Sequence, residues 1–305
     1  MLSPATLRYK PNHVKTPKGT PICDMTFIRL RGKDAQAFAQ SQFMNDLALL
    51  APGQWHWNGW LNAKGRVQAL FALACLAADD LLLVMLDAEP QPFADSLKRF
   101  VFRSKVEISV DVDLEALADF APEPRTGPVD CLLVSEDGGL GFDFSGSGDD
   151  RVLWVVGASA SSQPADAAAT ARWRRADLAH GLPRWAADRE HGWTPHMLSL
   201  DRLGAFSVRK GCYPGQEIVA RTHFLGQTKR QAWWLDGEGL ASGQAPTDTD
   251  GRAIGEIIEA DAARRGALAV LSLPAEGPVL VEGRPATARR PQIGLARPIR
   301  GKALD

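Results

Sequence analysis

The longest apolar run in the chain, Ala69 to Ala78, is stopped by Asp79-Asp80, and a second run, LLLVMLDA, follows at once. It falls well short of the roughly 20 residues a membrane helix needs. Strand pattern over Val67–Ala77, an acidic turn and a second apolar segment predict a buried hairpin. Around it the pattern keeps changing period. MTFIRLR (25–31) alternates apolar and polar side chains, as a half-buried strand does. Gly32 then leads into DAQAFAQSQFMNDLALL, which begins as a helix with Asp34 at its N-cap. Phe93, Leu97, Phe100 and Val101 fall on one helical face. VEISVDV alternates again, and LEALADF reads as a further helical piece. Pro, Gly, Asp and Ser crowd residues 121–150, with hairpin-like turns at DGG and GSGDD. RVLWVVG predicts a strand, and a helix runs from about Ala165 to His180, stopped by Gly181 with Pro183 beyond.

Past residue 226 the pattern is all short strands: QAWWLD, GRAIGEIIEA, GALAVLSL and PVLVEG, each bounded by Gly, Pro or Asp. That spacing suggests a small barrel or sandwich. The chain has 305 residues, and single cores stop growing near roughly 250–300, so more than one domain is expected. The main boundary is placed near Gly226, dividing 1–225 from 226–305.

Composition excludes several classes. A net charge of −1 gives no global field for a polyanion, so nucleic acid would need a local basic patch. The opening MLSPATLRYKPNHVKTPKGT has no apolar core of a secretory signal, and a cytoplasmic protein without membrane contact is expected. Cys23, Cys75, Cys131 and Cys212 lie far apart, with no C-x-x-C, and form neither a disulfide framework nor a compact iron–sulfur motif.

Cys212 and Tyr213 stand together in RKGCYPGQEIVARTHFLG (209–226). Lys210-Gly211 and Pro214-Gly215 are turn signals, and Gln216 to Arg221 suit the start of a short helix. Glu217 complements the positive end of that helix and can pair with Arg221 one turn on. Cys212 then lies just before a helix N-terminus and beside Lys210, both of which favour thiolate over thiol. Backbone N–H groups at the helix start favour a carboxylate or phosphate, and Tyr213 offers a flat face to a planar ring. From spacing alone, a Cys and a Tyr packed beneath a turn explain the same residues.

KGCYPGQE (210–217) resembles the signature of the YgfZ family, folate-binding proteins linked to maintenance of iron–sulfur enzymes and to tRNA modification. Those proteins are relatives of the aminomethyltransferase (T-protein) of the glycine cleavage system. Other segments match in order: IRLRGKDAQAFAQSQFMNDL, ending in Asn45-Asp46; LNAKGRVQALFAL from Leu61; LKRFVFRSKVEI (97–108); GLPRW (181–185); and ARTHFLGQTKR (220–230). The resemblance implies a ring-like architecture, with two interlaced α+β units within 1–225, a C-terminal β-barrel in 226–305 and tetrahydrofolate or a derivative in the central hole. It implies Asn45, Asp46, Tyr213, Gly215, Gln216, Glu217 and Arg221 as folate contacts. Cys212 would be the functional thiol, with Lys210 lowering its pKa, and iron–sulfur client enzymes would be the partners.

The transferase relatives carry paired aspartates where this chain has Ala69 and Leu70, and neither residue can shuttle a proton. Some relatives place a glutamate on the pterin where Ala179 stands; Asp177, two positions away, points elsewhere on a helix. The expectation is therefore an accessory folate-binding protein. The alternatives are a one-carbon transferase and a tRNA-binding module.

Other features have plainer readings. WHWNGW (55–60) suits a stacking platform but also a core. His191 and His196, near Asp188 and Glu190, match no standard metal spacing, and no metal is assigned. RWRR (172–175) and the basic segment 284–302 either form a tRNA-facing patch or guard a barrel edge.

Overall fold

The computed structural model describes residues 12–15, 19–86, 88–122, 128–158, 164–184, 192–226, 228–272 and 274–297. In chain order they form β1 (Asn12–Val14), β2 (Thr20–Ile22), β3 (Thr26–Arg31), α1 (Ala35–Gln42), β4 (Gln54–Leu61), β5 (Val67–Ala77), β6 (Asp80–Met85), α2 (Pro90–Lys98) and β7 (Glu107–Val110). Next come β8 (Leu114–Asp119), β9 (Leu133–Ser135), β10 (Leu140–Asp143), β11 (Val152–Gly157), α3 (Ala167–Ala179) and α4 (Gln216–Leu225). The chain continues through β12 (Arg230–Gly237), β13 (Pro246–Thr247), β14 (Gly255–Ala260), β15 (Gly266–Ser272), β16 (Gly277–Val281) and β17 (Arg284–Arg289).

Three sheets result, with strand orders β1-β9-β10-β11-β8-β2, β4-β5-β6-β3-β7 and β13-β16-β17-β12-β15-β14. The first two are interlaced: the chain lays down β1 and β2, leaves to build the whole second sheet, then returns with β8 to β11 to complete the first.

The apolar hairpin explains itself once both faces of the second sheet are followed. Ala69, Phe71, Leu73 and Cys75 of β5, with Leu81, Leu83 and Met85 of β6, pack under α1 and α2 against Phe38, Ala39, Phe93, Ala94 and Leu97. The alternate residues Leu70, Ala72, Ala74, Leu82 and Val84 enter the other core with Phe142, Leu153, Val155 and Trp173. A strand covered on both faces reads as an unbroken apolar run rather than an alternation. Trp55 and Trp57 sit in the second core at zero exposure, so the core reading of WHWNGW holds for both. Each such side chain contributes about 1.5–3 kcal/mol by burial.

The same logic accounts for the Trp233-Trp234 pair in β12. Trp233 and Leu235 face the interior of the third sheet with Ile257, Leu271 and Val281. Trp234 faces the body of the protein, where the Arg175 guanidinium of α3 lies 5.4 Å from its ring. This sheet nearly closes into a barrel: its edge strands meet where Thr247 bridges Ala253 and Ile254 N–H donates to Pro246 O at 2.9 Å.

LEALADF is a correction. Its residues form β8, paired along its whole length with β11 and also with β2. Ala116 and Ala118 face one core and Leu117 another. Leu, Glu and Ala favour helices in isolation, but two flanking strands and a two-sided core override that preference. The α2 face is shorter than expected: the helix ends at Lys98, and Phe100 is 42% exposed. Asp34 stands at the start of α1 without capping it; its Oδ2 instead accepts the Lys105 N–H at 2.7 Å. No helix among the described residues is long and apolar enough to cross a membrane.

Candidate functional site

The signature loop is held from below. Lys210 is buried, and its Nζ donates to the carbonyls of Phe43 at 2.6 Å and Asn45 at 2.9 Å, at the end of α1. The same ammonium lies 5.0 Å from the centre of the Tyr213 ring. Tyr213 is also buried; its hydroxyl donates to Ser207 O at 3.2 Å, and burial pushes its pKa up. Gln216 Nε2 donates back to Lys210 O at 3.0 Å and closes the loop on itself. Lys210 and Tyr213 therefore anchor the loop, while Gly211 and Cys212 lie on its exposed side.

Helix α4 begins at Gln216 as the turn signals predict, after Gly215 at φ 77° with no side-chain cap. Gly215 is required twice over. Its φ lies in the left-handed region, and a Cβ there would stand 2.6 Å from Asn62 O and 2.7 Å from the Cα of Gly65. Gly65, at φ 68°, would in turn meet Ile218 at 2.8 Å. The LNAKGR and KGCYPGQE segments thus meet glycine to glycine. Asn62 shapes its side of the contact, accepting the Lys64 and Arg66 N–H groups at 3.0 Å each.

Beneath this contact lies a polar cluster that the sequence reading missed. Asn45 N–H donates to Asn58 Oδ1 at 2.8 Å, and Asn45 Nδ2 donates to the carbonyls of Trp57 and Gly204 at 2.8 and 2.7 Å. The His56 ring is fully buried between the two amides, with Nδ1 3.2 Å from Asn45 Nδ2 and Nε2 3.2 Å from Asn58 Nδ2. Both amides turn their oxygens to backbone N–H groups, so an imidazolium here would point N–H at N–H. Burial first, then Lys210, push the His56 pKa down to about 3; Asp46 pulls weakly the other way. Asp46 itself accepts from Gln40 Nε2 at 3.0 Å and Ala48 N–H at 3.1 Å. Asn45 and Asp46 hence shape the floor beneath the loop.

A histidine neutral in the fold but protonated near pH 6.5 when unfolded favours the unfolded chain at acid pH. Its contribution is complete above about pH 6.5 and is lost toward pH 3, by at most ~1.4 kcal/mol per unit. Urea midpoints measured from pH 4 to 7.5 should fall with pH, and less steeply in His56→Gln. Burial also holds His180 and His196 low, so some slope persists in that variant. An unchanged slope would contradict the assignment.

On the open side of the site Cys212, Glu217 and Arg221 are all exposed. Glu217 and Arg221 share a helix face, yet no ion pair joins them, which corrects the expected pairing and leaves both side chains free. Cys23 is exposed too, but its thiol lies 3.6 Å from Thr170 Oγ1. Cys75 is buried, and burial, reinforced by Asp80, raises its pKa to about 11.

Ala69 and Leu70, at the transferase acid positions, are buried within β5 and present no carboxylate. Ala179 is the last residue of α3. Asp177 is fully buried and accepts from Arg151 Nη1 at 2.7 Å and Arg184 Nε at 2.9 Å, so it takes no part in the site. Nothing in the sequence pattern marks these arginines as interior. His191, Asp188, Glu190 and Trp185 lie outside the described residues. Among the described residues no group of His, Cys, Asp and Glu converges to hold a metal ion. His196 is notable for a different reason: both ring nitrogens are buried without a partner, and its ring lies 6.1 Å from that of His223 on α4.

Most arginines of the basic segments have partners within the fold, although Arg172, Arg175, Arg289 and Arg290 remain exposed. Arg289 pairs with Asp236 at 2.7 Å, and Arg290 donates to Gln231 at 2.6 Å and covers Trp233 at 4.2 Å. Arg297 is buried on backbone carbonyls, including Gly294 O at 3.0 Å. Arg172 covers Phe120 at 4.0 Å, Arg174 bridges Asp24 and Glu259, and Arg175 pairs with Asp261. Residues 298–302 lie outside the described part.

No family model matches the chain. It is 27% identical over 242 residues, 74% of its length and 73% of the relative's, to tRNA-modifying protein YgfZ of Cronobacter sakazakii. Against the protein of the same name from Vibrio vulnificus the identity is 28% over 244 residues, 76% of this chain and 74% of the other. Among solved structures it resembles the glycine cleavage system aminomethyltransferase T from Bartonella henselae, with TM-score 0.72, 16% identity, 92% of this chain and 87% of that one covered. That likeness establishes the fold, an α+β aminomethyltransferase type with a barrel-like C-terminal sheet. The resemblance to the YgfZ proteins read from the sequence is borne out.

Proposed function

We propose that this relative of the YgfZ proteins, built on an aminomethyltransferase fold, is a folate-binding accessory protein. It would support iron–sulfur enzymes, those of tRNA modification among them, and would use Cys212 as its working thiol. The observation that carries the reading is the division of the signature. Lys210, Tyr213, Gly215 and Gln216 are committed to holding the loop and helix start, whereas Cys212, Glu217 and Arg221 are presented outward. A rigid base under an exposed thiol is an arrangement for chemistry rather than for packing. The names of the relatives support the tRNA-modification part.

The residues present fit a folate as a bound ligand. Arg221 suits the carboxylate tail and Glu217 the amino-substituted edge of a pterin. A bound tetrahydrofolate would supply nitrogen positions that carry one-carbon units. The chain supplies no carboxylate at Ala69 or Leu70 for moving a proton there, which favours the accessory role over aminomethyl transfer. The exposed thiol of Cys212 suits exchange with a client disulfide or brief ligation of iron in transit.

Calorimetric titration of the reduced protein with tetrahydrofolate tests the ligand. Saturable binding weakened by Arg221→Ala is the expected result. Absence of binding would remove the folate, and methylene-tetrahydrofolate formation from an aminomethyl donor would restore the transferase reading.

A further inference from the structure

We propose that the joint between α2 and β7 is a docking surface for an unpaired stretch of RNA, with Phe102 as the stacking platform. The proposal rests on the tRNA-modification reading for its choice of partner and on the following geometry for its place.

Helix α2 ends at Lys98, and a turn with Phe100 N–H on Leu97 O at 3.1 Å and Val101 N–H on Lys98 O at 3.0 Å releases an extended segment. Along it Val101 and Val106 pack inward. Phe100 lies edge-on to Trp60, with ring centres 5.9 Å apart. Phe102 turns outward and is 88% exposed, with no packing role to explain a phenylalanine there.

Cations ring it. Arg99, Arg103 and Lys105 are exposed on the same segment. Lys33, also exposed, is brought alongside because Asp34 clasps Lys105 through both its backbone N–H and its carboxylate. None of these four side chains has an ion pair among the described residues. Of the acids on these elements, Asp95 pairs with Lys98 at 3.2 Å and also faces Arg99, Asp34 holds the Lys105 amide, and Glu107 of β7 is exposed.

An exposed aromatic face on a segment with four exposed cations, none in an ion pair among the described residues, fits a splayed base with its flanking phosphates. Duplex RNA would engage the cations and leave the ring idle. An acidic peptide would do the same. Membrane adsorption calls for the broad apolar face of an amphipathic helix, whereas only one ring here is fully free. Of the basic segments that the sequence alone offers, the arginines at 172–175 and at 289–290 each already have an acid, an amide or a ring as partner, even where they stay exposed.

The test is binding of an unmodified tRNA transcript to the full chain across a salt series. Wild type should show affinity falling with salt, with a log–log slope of roughly −2 to −3 for about four phosphates on a single strand. Phe102→Ala should weaken binding on the order of tenfold with the slope unchanged, and Phe102→Trp should restore it. Arg99→Gln with Arg103→Gln should weaken binding and reduce the slope by roughly one to two. Binding that ignores these changes but falls with Arg289→Gln would overturn the surface and leave the tRNA reading standing. So would loss of binding only to anionic phosphatidylserine vesicles, which would make this a membrane contact. No RNA binding by the wild type would overturn the proposal outright. Tetrahydrofolate titration of Phe102→Ala should match wild type, which separates failure here from failure of the folate reading.

Discussion

Asp177→Ala should destabilise the protein by about 3–5 kcal/mol, the usual cost of removing one partner from a buried charge network. Asp177 is fully buried and Arg184 is 1% exposed. Its carboxylate joins Arg184 of the Gly-Leu-Pro turn to Arg151 of the first sheet. Arg151 keeps a second acid, Asp149, at 2.6 Å and lies 4.4 Å from the Trp173 ring centre. Among the described residues Arg184 has no second acid and retains only the Leu86 carbonyl and the Met25 sulfur as partners. The loss thus falls on Arg184, a cation left in an apolar interior. Denaturant midpoints measure it directly. Pairing Asp177→Ala with Arg184→Met should recover part of the loss, because no stranded charge then remains. A single variant within about 0.5 kcal/mol of wild type would show that water reaches Arg184 and that the network is not closed.

That network also marks where reading residues in order stops working. Patterns set by one element's own faces are legible: the apolar hairpin, the helix start at Gln216 and the strand character of β11 and β12 all appear as predicted. LEALADF is not, because its conformation is imposed by β2 and β11, which lie far away in sequence. Charged residues fail for a related reason. Arg151, Arg184 and Arg297 carry the same letters as surface arginines, and only their three-dimensional partners make them interior. Lys210 shows the effect within the site. Adjacency to Cys212 suggested an electrostatic neighbour, while the fold turns its ammonium down onto the carbonyls of Phe43 and Asn45. His56 was passed over because a histidine inside a Trp-rich strand has no partner in view until Asn45 and Asn58 flank it. The KGCYPGQE spacing points to the candidate site, but it does not divide the residues that hold the loop from those that face outward.

Cys212→Ser is expected to abolish function in cells while leaving the fold untouched. The side chain is exposed, Gly211 beside it faces open space, and no hydrogen bond to the thiol is lost. Serine replaces one small polar group with another, so stability should stay within about 0.5 kcal/mol of wild type. The function to follow is the activity of iron–sulfur-dependent tRNA-modifying enzymes in cells whose only copy is the variant. Chemically, serine ionises too weakly to attack a disulfide and is a poor ligand for iron, so it tests thiol chemistry apart from shape. Lys210→Met supplies the contrast. It strips the loop of its anchors on Phe43 and Asn45, so it should lose function together with thermal stability. Alkylation of the folded protein adds a chemical reading, provided Cys23, the other exposed thiol, is first replaced by serine. Rapid labelling should then vanish with Cys212 and leave only the slower reaction of half-buried Cys131, since Cys75 is buried and held protonated. Full activity in Cys212→Ser would sink the thiol proposal. The exposed Glu217 and Arg221 would remain as a ligand-binding face, and a folate titration that still saturates would make the protein a folate-responsive binding partner instead of a redox or metal-handling one.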